Sequence, residues 1–232
     1  MTELVILTGA GVSAESGLAT FRDAGGLWEG HRPEYVATPE AFARDPAMVH
    51  RFYNARRAAA RAARPNAAHG ALAQLQRALG PRMLLVTQNV DALHEAAGHE
   101  GVVHMHGALD GACCASCGAT WRAPPVMAPQ DPCPSCGVRS TRPDIVWFGE
   151  MPKAMDRLYT ALSRCAVFAA IGTSGQVYPA AGFVDVAAQA GAACWELNLA
   201  PSGNPRFAHH ATGPASTCVP DWCREIEAQL RP

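Results

Sequence analysis

The chain has 232 residues, which suits one large domain or one domain with a small appendage. Its hydrophobic content of 49% is enough for a substantial core, and its net charge of −1 gives no electrostatic basis for binding nucleic acid or anionic membranes. Residues 1–8 carry no basic leader pattern, and no apolar run reaches transmembrane length. We therefore expect a soluble, cytoplasmic monomer that binds neither nucleic acid nor membrane.

The N-terminus begins with a short apolar run that leads into a glycine-rich turn. Leu4 to Leu7 predicts a buried strand, and the run from Gly9 to Ala14 follows the G-x-G-x-x-G/A pattern of dinucleotide-binding folds. Gly9 permits a tight turn, and Gly11 lets the backbone approach a pyrophosphate at the start of a helix. A glycine-rich turn without a ligand is the alternative. The preceding strand favours the nucleotide site.

An ordinary dehydrogenase has an acidic residue about 20 residues beyond these glycines, where it binds the ribose. No second strand follows here until Met83 to Val86, which indicates an insertion between the first two strands of the nucleotide fold. We predict one helix that begins at Asp45-Pro46 and ends near Ala63, and a second over Asn66 to Leu79.

Further apolar runs alternate with helical patterns, which predicts a parallel sheet covered by helices on both faces. The predicted strands are Gly101 to His104, Ile145 to Phe148, Val167 to Ile171, Ala193 to Asn198 and Ser216 to Val219. The predicted helices are Met155 to Ser163, Ala180 to Ala190 and Trp222 to Leu230.

Four of the nine cysteines form two matched pairs. Fifteen residues separate Cys114-x2-Cys117 from Cys133-x2-Cys136, a spacing that predicts a closed, structural zinc ribbon with four thiolate ligands. A redox pair or free thiols are the alternatives, and Cys113 makes the first pair slightly ambiguous. The remaining cysteines lie in apolar elements and are expected to be buried small hydrophobes: Cys165, Cys194, Cys218 and Cys223.

Small or polar residues follow several predicted strands, where parallel sheets bind their ligands. They are Gln88 to Asp91, His104 and His106, Gly172 to Ser174, and Asn198. The two histidines are two residues apart and can share a face. Their spacing does not say which would be a base, and a lone histidine or aspartate is more often a structural group or a helix cap.

The complete set of motifs resembles one family, the sirtuins. The matching segments are GAGVSAESGLATFR, TQNVD, HMHG, the two cysteine pairs, IGTS and ELN, in the family's order and over nearly the whole chain. The resemblance implies an α/β fold with a Rossmann-type parallel-sheet domain (1–23, 81–109 and 143–232). It also implies a small second domain made of a helical insertion (24–80) and the zinc ribbon (110–142).

The resemblance further implies that NAD is consumed as a co-substrate, that one zinc ion is structural, and that acylated lysine side chains of proteins are the partners. His106 would be the catalytic base. Ala19 stands where many members have proline, which would loosen the loop locally. The implied cofactor-binding residues are Gly9, Ala10, Gly11, Ser13, Glu15, Phe21, Arg22, Trp28, Gln88, Asn89, Val90, Asp91, Gly172, Thr173, Ser174, Asn198, Leu199, Ala200 and Ala215.

Within the family, the chain resembles the desuccinylase-like class through Ala37, Tyr53 and Arg56. Tyr53 and Arg56 are three residues apart in a predicted helix and therefore share a face. The Arg56 guanidinium and the Tyr53 hydroxyl would bind the carboxylate of a succinyl or malonyl group, and the small Ala37 would leave room for it. The alternative is a solvated basic face that also includes Arg51, Arg57, Arg61 and Arg64.

Three other functions compete with that of an NAD-dependent protein-lysine deacylase. A sirtuin-like ADP-ribosyltransferase would use the same NAD pocket with another acceptor. A zinc-ribbon binding module would leave the cofactor motifs without a purpose. A zinc-bearing NAD dehydrogenase would lack the ribose acid.

Overall fold

The structure is a computed structural model that describes residues 2–19 and 31–230. The strands are β1 (Leu4–Thr8), β2 (Met83–Thr87), β3 (Val103–His104), β4 (Gly107–Cys114), β5 (Thr120–Arg122), β6 (Thr141–Ile145), β7 (Val167–Ile171), β8 (Ala193–Asn198) and β9 (His209–Thr212). The helices are α1 (Gly11–Ala14), α2 (Pro33–Val36), α3 (Pro39–Arg44), α4 (Pro46–Ala62), α5 (Ala67–Leu79), α6 (Leu93–Ala96), α7 (Met155–Leu162), α8 (Phe183–Gln189) and α9 (Ala215–Leu230).

Six strands form one parallel sheet in the order β3-β2-β1-β7-β8-β9. The central strand β1 pairs with β2 on one side and β7 on the other, so that Leu4 lies opposite both Met83 and Val167. Every residue of these three strands is buried. This explains why they appear in the sequence as continuous apolar runs, and it confirms the predicted Rossmann-type sheet.

Helices cover both faces of this sheet. Leu4 and Ile6 point to the face covered by α5 and α9, whereas Val5 and Leu7 point to the face covered by α7 and α8. The alternation along β1 follows from the twofold periodicity of a strand. Because all six strands are parallel, their carboxyl ends lie at the same edge of the sheet.

Strands β4, β5 and β6 form a second, antiparallel sheet. The predicted strand over Ile145 to Phe148 was wrong: Ile145 ends β6, pairs antiparallel with Gly107, and belongs to this smaller sheet. Trp147 lies beyond the strand and packs with Ile145 in a separate apolar cluster that includes Tyr53 and Leu109. A short apolar run indicates burial but does not identify the sheet that buries it.

The C-terminal segment also differs from the prediction. Ser216 to Val219 was predicted as a strand, but it lies inside α9. Val219, Trp222 and Ile226 are buried at helical spacing against the sheet, so the apolar run is one stripe of a helix. The exposed edge strand β9 was missed because its residues, HHAT, show no apolar periodicity.

The two predicted helices of the insertion are present. Asp45 caps α4, since its carboxylate accepts from the Met48 N–H at 2.8 Å, and Asn66 caps α5 by accepting from the Ala68 N–H at 3.0 Å. The bounds of both helices agree with the sequence to within about one residue.

Helix α4 connects the antiparallel sheet to the rest of the chain through one of its faces. Arg57, which is 1% exposed, donates to the Leu109 carbonyl at 2.5 Å. Asn54 exchanges two hydrogen bonds with the Met127 backbone at 2.8 and 2.9 Å, and a His50 ring nitrogen lies 3.1 Å from the Thr141 carbonyl. Arg57 is therefore a buried anchor and not part of a solvated basic face.

Across the described ranges, 2–19 and 31–230, no helix combines the length and apolarity that crossing a membrane requires.

Candidate functional site

The carboxyl ends of β1 and β7 meet through backbone contact between glycines. A Cβ atom added at Gly9 or Gly11 would lie 2.8 Å from the Gly172 carbonyl oxygen, and one added at Gly172 would lie 2.5 Å from the Val12 nitrogen. Gly172 also has a φ of +59°. The Gly11 N–H donates to the Gly172 carbonyl at 2.8 Å. In addition to the turn predicted at Gly9 and Gly11, glycine at these positions and at Gly172 permits a close approach of two strand ends.

Side chains that directly follow β2 bind to both of these strand ends. The Gln88 amide donates to the Thr173 hydroxyl at 2.8 Å, and the Asn89 amide donates to the Gly9 carbonyl at 3.1 Å. From the other side, the Asn198 amide donates to the Thr173 carbonyl at 2.8 Å. Polar side chains from three separate parts of the chain thus converge with the Gly9 backbone at one edge of the sheet.

A buried polar network underlies this edge. The Ser13 hydroxyl donates to the Asp91 carboxylate at 3.1 Å and accepts from the Asn89 amide at 3.2 Å. Burial raises the pKa of Asp91, opposed by hydrogen bonds from the Leu93 N–H and from Ser13. A His69 ring nitrogen lies 3.5 Å from the Ser13 hydroxyl, and burial lowers the pKa of His69 to about 4. His69 is therefore neutral at physiological pH.

His104, at the end of β3, and His106, two residues later, have different hydrogen-bond partners. His106 Nδ1 lies 3.2 Å from the Gln88 carbonyl, which can only accept, so the neutral ring carries its proton on Nδ1 and presents a free lone pair at Nε2. Burial lowers the pKa of His106, partly offset by this hydrogen bond. The ring is therefore ready to take a proton at Nε2 near neutral pH.

His104 has an acceptor at each ring nitrogen. Its Nδ1 lies 3.0 Å from the Asn89 carbonyl, and its Nε2 lies 2.7 Å from a Glu95 carboxylate oxygen. Burial acts to lower the pKa of His104, but the hydrogen bond and charge of Glu95 outweigh it, so the net pKa is raised. Both ring nitrogens of His104 therefore already have a partner, which disfavours His104 as the base.

Several predicted cofactor residues have other contacts or lie elsewhere. The Glu15 carboxylate accepts from the Ser216 N–H and from the Ser216 hydroxyl at the start of α9, so its oxygens are already engaged. Val90 packs in the cluster around Trp147. Ala10 is half-buried beside the glycine contact, Ser174, Leu199 and Ala200 are exposed, and Ala215 is buried at the first residue of α9. Phe21, Arg22 and Trp28 lie outside the described residues.

The four predicted zinc ligands form one cluster, in which all four sulfur atoms lie within 4.8 Å of one another. The Cys114–Cys136 and Cys117–Cys133 sulfur pairs are 3.8 and 3.7 Å apart. Sulfur atoms around a tetrahedral zinc ion with bonds of about 2.3 Å are separated by about 3.8 Å. The tetrad therefore fits a zinc ion that fills its coordination with four thiolates.

Each cysteine pair lies on a tight turn of the same design. The Gly118 N–H donates to the Cys114 carbonyl and the Gly137 N–H donates to the Cys133 carbonyl, both at 2.9 Å. Cys113 does not belong to the tetrad, because its thiol faces the Pro143 carbonyl at 3.8 Å. The ambiguity in the first pair is thereby resolved in favour of Cys114.

Two of the predicted acyl-binding residues, Tyr53 and Arg56, lie on α4, and the third, Ala37, follows α2. Tyr53 is completely buried and belongs to the same apolar cluster as Ala37. Its pKa is raised by burial, while the nearby positive charge of Arg56 acts in the opposite direction. The half-buried Arg56 guanidinium lies 5.8 Å from the centre of the Phe52 ring. Tyr53 therefore lies inside the cluster, and Arg56, one helical turn further along α4, lies beside the Phe52 ring of the same cluster.

Sequence reasoning missed one member of this group, Trp147. Its indole N–H donates to the Tyr53 hydroxyl oxygen at 3.0 Å, although the two residues are 94 positions apart. No local pattern predicts such a contact, because only the packing of α4 against the chain that follows β6 brings them together.

This geometry defines a Rossmann-type nucleotide fold with an inserted four-cysteine ribbon and a histidine at the sheet edge. The Sir2 family model matches residues 9–179. An "NAD-dependent protein deacylase" of Shigella flexneri is 55% identical over 228 residues, covering 96% of this chain and 83% of that protein. One of the same name from Caulobacter vibrioides is 51% identical over 233 residues and covers 98% of each.

Solved structures give the same result. A Sir2 homologue in complex with NAD superimposes with a TM-score of 0.89 at 40% identity, covering 99% of this chain and 91% of that one. The chain belongs to the Sir2 family, as the sequence motifs predicted.

We predict that the metal in the tetrad is structural. Cys133→Ser should release zinc and unfold the ribbon, with activity lost as a consequence, because three thiolates no longer close the tetrahedron. Metal analysis and thermal unfolding measure this. Cys113→Ser is the matched control and should keep its zinc. A metal-free Cys133→Ser protein that kept its thermal midpoint and turnover would contradict the assignment.

We also predict that His106 and His104 are not interchangeable. His106→Tyr should leave folding and NAD binding largely intact and lower deacylation by about 10²–10⁴-fold, the usual effect of losing a general base. His104→Ala should cost far less, since both of its ring nitrogens are already paired. Steady-state kinetics on one acyl-lysine peptide compare the two, and the reverse ranking would show that the base is misassigned.

Proposed function

We propose that this chain is an NAD-dependent protein-lysine deacylase that favours acyl groups ending in a carboxylate. The observation that carries the catalytic part is the contact between His106 Nδ1 and the Gln88 carbonyl, which leaves Nε2 as the only free base on that ring. The products are the free lysine, nicotinamide and O-acyl-ADP-ribose. We expect the enzyme to act as a monomer in the cytoplasm, on acylated lysines of proteins.

The residues at the sheet edge fit NAD by their chemistry. Amide and hydroxyl groups pair well with ribose hydroxyls, and Gln88, Asn89, Ser13 and Thr173 bring such groups to one place. We assign Gly9, Ala10 and Gly11 to the cofactor loop, and Gln88, Asn89 and Asp91 to the nicotinamide ribose side. We assign Gly172, Thr173, Ser174 and Asn198 to the adenosine side.

The proposal includes a division of the chain into two domains. Residues 1–23, 81–109 and 143–232 would bind the nucleotide, and residues 24–80 and 110–142 would form the small domain. Helix α4 supports such a division, because Arg57 and Asn54 tie it to the chain around the ribbon.

The residues of this chain would act in a definite order. Bound NAD supplies the ribose carbon that receives the acyl oxygen and the nicotinamide that leaves. His106 Nε2 then takes a proton from a ribose hydroxyl, and the resulting imidazolium is stabilised by the Nδ1–H bond to the Gln88 carbonyl. The Asp91 carboxyl group accepts from the Ser13 hydroxyl, which in turn accepts from the Asn89 amide, so Asp91 would hold these polar groups in place beside the ribose.

Tyr53 and Arg56 would select the acyl group. Burial raises the pKa of Tyr53, so its hydroxyl remains a neutral hydrogen-bond donor at physiological pH. Arg56 supplies the positive charge that a buried carboxylate needs. Ala37 lies in the same cluster with a side chain small enough to leave space for a longer acyl chain.

The deacylase proposal is tested with a panel of acetyl-, malonyl-, succinyl- and longer acyl-lysine peptides incubated with NAD, with all products followed by mass. We expect deacylated peptide and O-acyl-ADP-ribose in equal amounts, with the succinyl and malonyl peptides consumed fastest. ADP-ribose attached to a peptide or protein, without loss of the acyl group, would instead indicate an ADP-ribosyltransferase. Formation of NADH at constant total NAD would indicate a dehydrogenase.

Acyl selection is tested separately with Arg56→Met. A hydrogen bond to a charged group contributes about 1.5–3 kcal/mol, or roughly 10–150-fold in kcat/KM when it is made in the transition state. The ratio of kcat/KM for succinyl-lysine over acetyl-lysine peptide should fall by about that factor, because acetyl has no charge to pair. Arg61→Met, near the C-terminal end of the same helix, is the matched control. An unchanged ratio in Arg56→Met would show that Arg56 does not bind the acyl group.

A further inference from the structure

The hydrogen bond between Trp147 and Tyr53 constrains the direction of the Tyr53 proton. The indole nitrogen can only donate, so at 3.0 Å the Tyr53 oxygen must be the acceptor. The hydroxyl hydrogen therefore has to point away from Trp147. Both side chains are buried, at 0% exposure for Tyr53 and 2% for Trp147, so water does not compete for this bond.

The Tyr53 hydroxyl hydrogen has no acceptor within the part of the chain that the structure describes, residues 2–19 and 31–230. A buried donor without an acceptor is unfavourable, and buried polar groups are normally paired. The Tyr53 oxygen thus accepts a hydrogen bond from Trp147, and the hydroxyl hydrogen remains available to donate to a bound ligand.

Trp147 is itself held firmly in place. The Arg142 guanidinium stacks on its ring at 3.5 Å from the centroid, and both terminal nitrogens of Arg142 donate to the Glu150 carboxylate at 2.6 and 2.8 Å. The same carboxylate accepts from the Trp147 backbone N–H at 2.9 Å. Trp147, Arg142 and Glu150 form one unit, so the indole N–H cannot turn away from Tyr53 without breaking several contacts.

We propose that Trp147 is a positioning residue for acyl specificity, which directs the Tyr53 hydroxyl proton toward the carboxylate of a succinyl or malonyl group. Trp147 acts through Tyr53 and does not itself bind the acyl chain. The inference rests on the proposed function, in which Tyr53 and Arg56 bind that carboxylate. The new element is that Trp147, in the segment that follows β6, contributes to the choice of acyl group.

The test is a double-mutant cycle between Trp147→Phe and Tyr53→Phe. Phenylalanine keeps a ring beneath Arg142 and removes the indole N–H. With Tyr53 present, Trp147→Phe should lower kcat/KM for succinyl-lysine peptide by about 3–10-fold, mainly through KM, as expected for one misdirected hydrogen bond. The ratio of succinyl-lysine to acetyl-lysine turnover should fall with it. In the Tyr53→Phe background, the same substitution should have no further effect on this ratio.

Trp121→Phe is the matched control, because Trp121 lies in β5 and packs in a separate cluster with Ala123 and Met127. It should leave the ratio of succinyl-lysine to acetyl-lysine turnover unchanged. An equal loss on both peptides in Trp147→Phe, no loss on either, or the same loss in the Tyr53→Phe background would overturn the proposal.

The outcomes also separate this inference from the proposed function. If Arg56→Met and Tyr53→Phe leave the ratio unchanged, the selection of acidic acyl groups itself fails. If both lower the ratio but Trp147→Phe does not, only the role of Trp147 fails.

A second measurement does not depend on the folding of Trp147→Phe. The five tryptophans of the chain give five indole N–H resonances, and that of Trp147 can be assigned by its shift in Tyr53→Phe. Succinyl-lysine peptide should move this resonance more than acetyl-lysine peptide does. Equal movement with the two peptides would contradict the proposal.

Discussion

The contact between Gly172 and the turn after β1 is the constraint on which the site depends. Glycine is needed on both sides, because a methyl group at Gly9, Gly11 or Gly172 would approach backbone atoms to 2.8 Å or less. This contact brings the carboxyl ends of the two central strands together. Only then can Gln88 reach Thr173 and Asn89 reach the Gly9 carbonyl, so the polar edge follows from the backbone packing.

Helix α4 connects the cysteine ribbon to the residues proposed to bind the acyl group. One face carries His50, Asn54 and Arg57, which bind backbone groups of β6, the ribbon segment and β4. The other face carries Tyr53 and Arg56. We expect the four thiolates to influence the site indirectly, because α4 contacts the ribbon segment through Asn54 and Met127.

Much of this fold can be predicted from the sequence, since the central strands are continuous apolar runs and the caps Asp45 and Asn66 are explicit. The zinc tetrad can also be predicted, because the two ligands of each pair are only three residues apart in the sequence. The errors at Ile145 to Phe148 and at Ser216 to Val219 share one cause. A run of apolar residues indicates that the segment is buried. Whether it is buried as a strand or as a helix, and in which sheet, depends on packing against distant parts of the chain.

The roles of the two histidines could not be separated by spacing, because they depend on which carbonyl or carboxylate lies opposite each nitrogen. The Gln88 carbonyl faces one nitrogen of His106, whereas His104 faces both the Asn89 carbonyl and Glu95. The family resemblance had selected His106, and the hydrogen bonds supply a physical reason for that choice. The contact of Trp147 with Tyr53 is likewise a product of tertiary packing.

The most direct measurement of the central claim is a crystal structure of the enzyme with a succinyl-lysine peptide bound. The account predicts that the succinyl carboxylate lies within hydrogen-bond distance of both the Tyr53 hydroxyl and the Arg56 guanidinium, with Trp147 still donating to Tyr53. A succinyl carboxylate that points into solvent, with neither Tyr53 nor Arg56 in contact, would contradict it.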